Sequence, residues 1–347
     1  MRIAVFNRRM DKPRGAEKSM LTLKEHLGED HEVKLFSLVD ENSQGSLSFN
    51  LPLPRQIKII GGFLEGWKSR WDELEEFDPD IILAQHELSY LGARYVKGRD
   101  AKMVYFIRDY ENLYDERFYG RYKADASVNY ITSFLTERLT KQIIDSSQEI
   151  IANSNYLGNR YEDYYGIETD TVYPFVNLED YSVEKKGDKI LHVNPIEDKG
   201  IRITLEVAER MPEEEFIIAG TTKKQEIREK MDELENVDYL GYVDDMKDAY
   251  SQTKIVLVPS KWEAYGRIPI EAGASGIPTI ATSKGGLPES VGNQELIVED
   301  SADKFVEKIK EVEENYGKFS EKARENSKEK SQHKQLEKFE ELMDGYL

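Results

Sequence analysis

Two glutamates stand in a segment whose glycines and prolines predict a loop that opens a helix. The segment, Ser260 to Pro278, follows the apolar run Ile255 to Val258, which is typical of a buried strand. Glu263 falls in the predicted loop and Glu271 about two turns into the predicted helix, whose first turn suits Pro269. The two carboxylates therefore flank a helix start at the carboxyl end of a predicted parallel strand, where open α/β sheets bind ligands.

Carboxylates beside free backbone N–H groups suit a ligand that has both hydroxyls and an anionic part. A carboxylate can accept hydrogen bonds from two vicinal hydroxyls. The backbone N–H groups near Tyr265, Gly266 and Arg267 could hold phosphate oxygens. The alternative is that Glu263 and Glu271 are ordinary exposed residues, because charged side chains are mostly exposed.

Basic residues follow two further predicted strands. Lys199 and Gly200 begin a helix after the strand 190–193, where the charge and the free N–H groups predict a phosphate site. The strand 2–6 leads into a basic loop before Gly15, which opens a helix. This loop contains Arg8, Arg9, Lys12 and Arg14. It lacks G-x-G-x-x-G, which disfavours a dinucleotide site, but it could face phosphates or an anionic acceptor, or be a solvated loop.

Charged residues and glycines also stand after other predicted strands. Arg108 and Asp109 directly follow the predicted strand 102–107, where a ligand site could use both charges. Gly285 and Gly286 belong to a second glycine-containing loop that enters a short helix, and we expect it to lie beside the Glu263 loop.

A D-x-D motif, Asp78-Pro79-Asp80, could bind a divalent metal ion and a nucleotide diphosphate. It precedes the strand 81–84, at the end of the sheet opposite to where ligand sites form. A turn is therefore the favoured interpretation.

Composition excludes several classes of site. The 347 residues include no cysteine, so disulfides and thiolate chemistry are absent, and the 5 histidines are scattered without metal-binding spacing. We expect no cofactor and no metal. A net charge of -19 argues against nucleic-acid binding. The sequence shows no secretory signal and no membrane-length apolar run, so we expect a cytoplasmic protein with at most peripheral contact at the inner membrane face. Halophily stays an open explanation of the acidity.

The elements that carry these residues alternate as strand and helix, which predicts parallel, doubly wound α/β sheets in two domains. We place the first domain at 1–182, the second at 183–330, and a last amphipathic helix within 331–347. A predicted helix at 126–146 has basic and aromatic residues, and the surface they form could receive a lipid-linked or anionic acceptor. The favoured alternative is a core face with a solvated back.

These motifs, in this order, resemble the retaining glycosyltransferases of family 4. The resemblance rests mainly on the segment Pro259-Ser260 to Pro278, with its Glu263-x7-Glu271 pattern. The supporting motifs are Gly285-Gly286-Leu287-Pro288-Glu289, Leu240-Gly241-Tyr242-Val243-Asp244, Lys199-Gly200 and Gly15-Ala16-Glu17-Lys18. The motifs extend over nearly the whole chain.

The resemblance implies the GT-B architecture, in which two Rossmann-like domains face each other and a C-terminal helix crosses back to the first. The second domain would bind a UDP- or GDP-linked sugar, and the first a saccharide or lipid-linked acceptor, in polysaccharide or glycan biosynthesis. Glu263 would contact the donor sugar and Glu271 the ribose. Lys199, Gly15 and the backbone N–H groups near Gly266 would neutralise the leaving diphosphate, and Arg267 could assist. Tyr242 and Val243 would lie near the base. Tyr265, Gly285 and Gly286 are further candidates for donor binding.

Two positions depart from the family pattern. Asn194-Pro195 stands where family members commonly have Gly-Arg, and Arg8, Arg14 or Arg267 could supply the missing charge. Arg108 stands where a histidine often precedes Asp109, so Arg108, Asp109 and Arg14 are candidates for acceptor or sugar contacts. The alternatives to a transferase are an epimerase or phosphorylase on the same scaffold, or a non-catalytic sugar-binding subunit.

Overall fold

A computed structural model describes residues 1–9, 15–39, 70–109, 137–184 and 187–347. Their contacts divide the chain into two compact units. Unit 1 comprises Met1–Pro174 together with Leu342–Leu347, and unit 2 comprises Phe175–Glu341. Arg8 and Arg9, which were predicted in the basic loop, belong instead to the first strand, Arg2–Arg9, because the strand continues beyond its apolar residues. Residues 10–14 of that loop and most of the predicted helix at 126–146 lie outside the described residues.

Unit 1 contains a parallel sheet in the order β2-β1-β3-β4-β5-β6. Its strands are β1 (Arg2–Arg9), β2 (Glu32–Val39), β3 (Ile81–Gln85), β4 (Lys102–Ile107), β5 (Glu149–Ala152) and β6 (Asp170–Thr171). Its helices are Gly15–Leu27, Ser89–Val96 and Asn155–Tyr165, and residues 70–77 and 137–146 are also helical. The central strands β3 and β4 are nearly continuous apolar runs, because both faces of a parallel sheet are buried.

The last residues of the chain pack within unit 1. The Tyr346 hydroxyl donates a hydrogen bond of 2.7 Å to Oε1 of Glu149, at the start of β5. The ammonium of Lys102, at the start of β4, lies 4.7 Å from the centre of the Tyr346 ring. These contacts tie Leu342–Leu347 to the amino-terminal edge of the sheet in unit 1.

Unit 2 contains a parallel sheet in the order β12-β11-β10-β7-β8-β9. Its strands are β7 (Lys189–Val193), β8 (Phe216–Ala219), β9 (Val237–Gly241), β10 (Thr253–Val258), β11 (Thr279–Thr282) and β12 (Ile297–Val298). Its helices are Ile201–Arg210, Gln225–Asp232, Met246–Tyr250, Ile268–Gly273, Leu287–Val291, Ala302–Glu314 and Tyr316–Glu329, together with Gln332–Met343 up to Glu341. The predicted fold class, parallel α/β sheets in both halves, is confirmed.

The strand order of unit 2 reverses direction beside β7. From β7 the chain proceeds outward through β8 and β9, and then crosses to β10 on the other side of β7. After β7 the next strand, β8, lies on one side, and after β10 the next strand, β11, lies on the other, so the chain proceeds in opposite directions along the sheet from these two neighbouring strands. Such a topological switch point is where open α/β sheets bind ligands.

The D-x-D motif has a structural role within unit 1. A carboxylate oxygen of Asp78 accepts a 2.8 Å hydrogen bond from the Arg2 guanidinium, and the side chain of Asp80 accepts one of 2.7 Å from the backbone N–H of Arg2. The two aspartates therefore anchor the start of β1.

Buried His192 in β7 should make unit 2 less stable in mild acid. Burial lowers the pKa of His192 from 6.5 to about 4, and its Nδ1 lies 2.8 Å from the hydroxyl oxygen of Thr204. Between these values the unfolded chain binds a proton that the folded chain does not, so stability falls as the pH falls. The expected loss between pH 6.5 and pH 4 is about 3 kcal/mol.

Urea unfolding followed at pH 7, 5.5 and 4 measures this loss. The variant His192→Gln has no group that titrates in this range, so it should lose about 3 kcal/mol less than the original protein on acidification. An equal loss in both proteins would show that His192 is not the group responsible.

No helix among the described residues is both long enough and apolar enough to cross a membrane.

Candidate functional site

Three loops of unit 2 meet at the carboxyl ends of its central strands. The loop after β7 contains Lys199, the loop after β10 contains Glu263, and the loop after β11 contains Gly285. Because β7, β10 and β11 are consecutive neighbours in the sheet, these loops lie side by side. The switch point between β7 and β10 thus brings together residues that are far apart in sequence.

Lys199 and Glu263 form an ion pair between two of these loops. The Lys199 ammonium donates a hydrogen bond to Oε1 of Glu263, and the hydroxyl of Ser260 donates one of 3.1 Å to the same oxygen. The Lys199 side chain is 29% exposed and that of Glu263 16%, so both remain within reach of a ligand. The pair presents one cation and one carboxylate at the switch point.

Two glycines allow the loops to approach this closely. A Cβ at Gly200 would lie 1.9 Å from the carbonyl oxygen of Pro259, and a Cβ at Gly285 would lie 1.8 Å from that of Glu263. Both have left-handed backbones, with φ of 75° and 63°. The backbone N–H of Gly286 donates a 3.0 Å hydrogen bond to the carbonyl of Glu263, which fastens the third loop to the second.

Gly266 lies just before the helix Ile268–Gly273, with a left-handed backbone at φ 88°. Its carbonyl accepts a hydrogen bond from the hydroxyl of Ser290, and its neighbour Tyr265 is buried. Pro269 lies in the first turn of the helix, as predicted.

Glu271 is the fourth residue of the helix Ile268–Gly273 and therefore lies in its first turn. The prediction that it lies about two turns into the helix is wrong, because residues 259–267 form an extended loop and the helix begins late. Its carboxylate is nearly buried and accepts hydrogen bonds from the Arg267 guanidinium, at 3.1 Å, and from the Tyr250 hydroxyl, at 3.2 Å.

Tyr242 and Val243 follow the edge strand β9, which β8 separates from β7. Tyr242 is 74% exposed, more than any other large apolar or aromatic residue in the described part of the chain. An exposed aromatic ring at the carboxyl edge of a sheet is available for stacking on a flat ligand.

Gly15, Arg108 and Asp109 lie in unit 1 and follow strands of its sheet. Gly15 begins the helix Gly15–Leu27. The guanidinium of Arg108 packs on the ring of Phe106 at 4.8 Å and reaches the sulfur of Met20 at 3.7 Å, so its side chain is buried. Arg14 lies outside the described residues.

Asp109 lies beside His86, a residue that none of the sequence motifs indicated. His86 directly follows β3, and its Nδ1 lies 3.5 Å from Oδ2 of Asp109, which follows the neighbouring strand β4. The backbone of His86 is left-handed, with φ of 54°, a conformation that non-glycine residues adopt at some energetic cost. The signal that could have found it is its position two residues after the predicted strand 81–84.

The described residues contain no group of three or more His, Cys, Asp or Glu side chains arranged to hold a metal ion.

Two family models match the chain in succession. The model described as Glycosyltransferase Family 4 matches residues 13–180, and the model described as Glycosyl transferases group 1 matches residues 177–330. The boundary between them falls between unit 1 and the first strand of unit 2.

Curated relatives match parts of the chain. An uncharacterised glycosyltransferase of Methanocaldococcus jannaschii is 24% identical over 200 residues, which cover 50% of this chain and 50% of that protein. The matched segments span from 18% to 50% of the length of the curated relatives.

Solved structures match nearly the whole chain. The Anabaena protein HepE in complex with UDP has a TM-score of 0.76 at 16% identity, over 99% of this chain and 100% of that one. The same protein has also been solved in complex with UDP-glucose, with a TM-score of 0.75. The sucrose-phosphate synthase of Thermosynechococcus elongatus has a TM-score of 0.76 at 16% identity, over 99% of this chain and 98% of that one. These matches confirm the GT-B fold class.

Proposed function

Because the chain belongs to glycosyltransferase family 4, we propose that it transfers a hexose from a nucleoside diphosphate sugar to a hydroxyl acceptor. The transfer retains the configuration of the anomeric carbon and uses no metal ion. The observation that carries the proposal is the Lys199–Glu263 pair at the switch point of unit 2, with Glu271 in the first turn of the helix that follows the Glu263 loop. A cation and two carboxylates suit a ligand that joins a diphosphate to hydroxyl-bearing rings.

Lys199 would stabilise the leaving group. Breaking the bond between the anomeric carbon and the phosphate oxygen places negative charge on the diphosphate and positive charge on the sugar. The Lys199 ammonium is held in place by Glu263, so little reorganisation is needed as the charge develops. Preorganised electrostatic groups of this kind are usually the largest single contribution to catalysis.

Glu263 and Glu271 would recognise the two hydroxyl-bearing parts of the donor. Glu263 lies beside Lys199 and would contact the transferred sugar near its reacting carbon. Glu271, held by Arg267 and Tyr250, would accept hydrogen bonds from the ribose. The exposed ring of Tyr242, with Val243 beside it, would lie near the base.

Unit 1 would bind the acceptor, a saccharide or a lipid-linked saccharide. The acceptor hydroxyl would approach the same face of the sugar that the diphosphate leaves, and a phosphate oxygen would take its proton. Among the described residues of unit 1 we assign the role of orienting this hydroxyl to the His86–Asp109 pair, because a neutral imidazole whose Nδ1–H faces a carboxylate presents Nε2 as a hydrogen-bond acceptor to a hydroxyl.

Incubation with a panel of UDP- and GDP-linked hexoses tests the proposal. We expect nucleoside diphosphate to be released from at least one donor, at a rate that excess EDTA changes by less than about twofold, because Lys199 supplies the charge that a metal ion would otherwise provide. NMR of the product should show the anomeric configuration of the donor.

A second incubation without protein gives the spontaneous rate of donor hydrolysis. If no nucleotide sugar binds, as judged by calorimetry, the transferase proposal fails. Turnover that EDTA abolishes would leave the transferase proposal in place and reject metal independence.

A further inference from the structure

The carboxylate of Glu271 is held on both of its oxygens by side chains of unit 2. The Tyr250 hydroxyl donates to Oε2 at 3.2 Å, and Nε of Arg267 donates to Oε1 at 3.1 Å. The Tyr250 side chain is fully buried and that of Glu271 is only 9% exposed. Glu271 therefore has little freedom to rotate.

A second tyrosine supports this arrangement from the first residues of unit 2. The Arg267 guanidinium donates a 3.4 Å hydrogen bond to the Tyr181 hydroxyl, and the rings of Tyr181 and Tyr250 meet edge to face at 6.3 Å. The hydroxyl of Ser275 donates to the carbonyl of Tyr181 at 3.4 Å. The segment that enters unit 2 thus packs behind the two donors to Glu271.

The hydrogen-bonding capacity of Glu271 is only half used. An ionised carboxylate offers about four acceptor positions, two on each oxygen. Tyr250 occupies one position on Oε2 and Arg267 one on Oε1. Each oxygen therefore keeps one position for a further donor, and two such positions on adjacent oxygens match a pair of vicinal hydroxyls.

Tyr250 is fitted to remain a donor. Burial, and then the negative charge of Glu271, raise the pKa of the Tyr250 phenol well above its usual range. The phenol therefore keeps its proton at any pH at which the protein would function. Arg267 supplies the positive charge that offsets the buried carboxylate.

We propose that Tyr250 and Arg267 are positioning residues that aim Glu271 at both hydroxyls of a ribose, so that the protein selects ribonucleotide donors over 2′-deoxyribonucleotide donors. The inference rests on the proposed role of Glu271 in donor binding. A 2′-deoxyribose offers only one hydroxyl, which leaves one oxygen of the fixed carboxylate without its hydrogen bond. A carboxylate free to rotate would adapt to that single hydroxyl and would discriminate less.

The test measures dissociation constants by calorimetry for UDP and 2′-deoxy-UDP, and for GDP and 2′-deoxy-GDP. For the base that binds, the original protein should prefer the ribonucleotide by about tenfold or more, since hydrogen bonds to a charged group are among the stronger ones. Tyr250→Phe keeps the buried ring and removes only the hydroxyl. We expect it to reduce the preference to about threefold or less, mainly by weakening ribonucleotide binding.

Tyr239→Phe is the matched control, because Tyr239 lies in the same unit and packs against the cluster of Ile201 and Leu205. It should keep the full ribonucleotide preference. The double variant Tyr250→Phe with Glu271→Gln should bind UDP or GDP no more weakly than Glu271→Gln alone, because Tyr250 acts only through Glu271. A general defect of Tyr250→Phe would weaken binding in the Glu271→Gln background as well, so the comparison separates such a defect from an effect exerted through Glu271.

The outcomes separate the inference from the proposed function. If the original protein binds no nucleoside diphosphate, the proposed function fails and the inference fails with it. If it binds UDP or GDP with no ribonucleotide preference, or if Tyr250→Phe keeps the whole preference, the inference fails and the proposed function stands. Additive losses in the double variant would also overturn the role of Tyr250.

Discussion

Replacement of Lys199 by alanine is expected to slow nucleoside diphosphate release from the donor about 10² to 10³-fold at saturating donor, the effect typical of removing one preorganised electrostatic group. Lys199 is the cation that the loop after β7 places against Glu263, beside the expected position of the leaving diphosphate. Its removal also leaves Glu263, only 16% exposed, without its positive partner. The substitution therefore removes stabilising charge and adds an uncompensated negative charge near the diphosphate.

The measurement is the steady-state kcat for the donor that the original protein uses. Lys310→Ala, at an exposed position on the helix Ala302–Glu314, is the matched control and should keep the original rate. Lys199→Arg keeps the charge and should retain more activity than alanine. A kcat for Lys199→Ala within about threefold of the original would remove Lys199 from the mechanism, because preorganised groups are worth far more than that.

Gly285→Ala is expected to lower the free energy of unfolding of unit 2 by about 2 to 5 kcal/mol, from backbone strain and overpacking together. The added Cβ would lie 1.8 Å from the carbonyl oxygen of Glu263, which is backbone and cannot move alone. The backbone at Gly285 is left-handed, which adds a strain that alanine bears and glycine does not. Any relaxation has to push the loop of Glu263 away from the loop of Gly285, so activity should fall as well.

Gly241→Ala separates the two causes, because Gly241 has a similar left-handed φ of 67° and no atom within 4 Å of the added Cβ. It should cost only the strain, about 1 to 2 kcal/mol. Urea unfolding of both variants gives the comparison. Equal losses at the two glycines would mean that the contact between the loops contributes nothing.

The strands of both sheets could be predicted well from the sequence because buried parallel strands are continuous apolar runs. β4 has the predicted bounds, and β3 and β7 each differ by one residue from the predicted strands 81–84 and 190–193. The edge strand β6, Asp170–Thr171, was not predicted, because two polar residues carry no such pattern and pairing with β5 alone defines them. The helix Ile268–Gly273 begins later than predicted, because contacts with Gly285 and Leu287 hold the residues before it in a loop. These contacts, like the pairing of β6, involve residues that are not adjacent in the sequence.

Side-chain partnerships were harder to predict than the elements that carry them. The motifs located Lys199, Glu263 and Glu271, and the parallel sheet explains why the first two meet. Tyr250 and His86 could not be predicted as site residues, because their partners, Glu271 and Asp109, lie more than twenty positions away in the chain. Arg108 has a charge that suggested a ligand contact, but only the packing of Phe106 and Met20 shows that its guanidinium is buried.

The contact between Tyr346 and Glu149 bears on the order in which the two units are completed during synthesis. Unit 2 is one continuous segment, Phe175–Glu341, whereas unit 1 takes its final contacts from Leu342–Leu347. In a chain made from its N-terminus, every residue of unit 2 has been added before these last six are available. All of unit 2 is therefore synthesised before unit 1 is complete, and unit 1 forms the hydrogen bond of Tyr346 only after Leu342–Leu347 have been added.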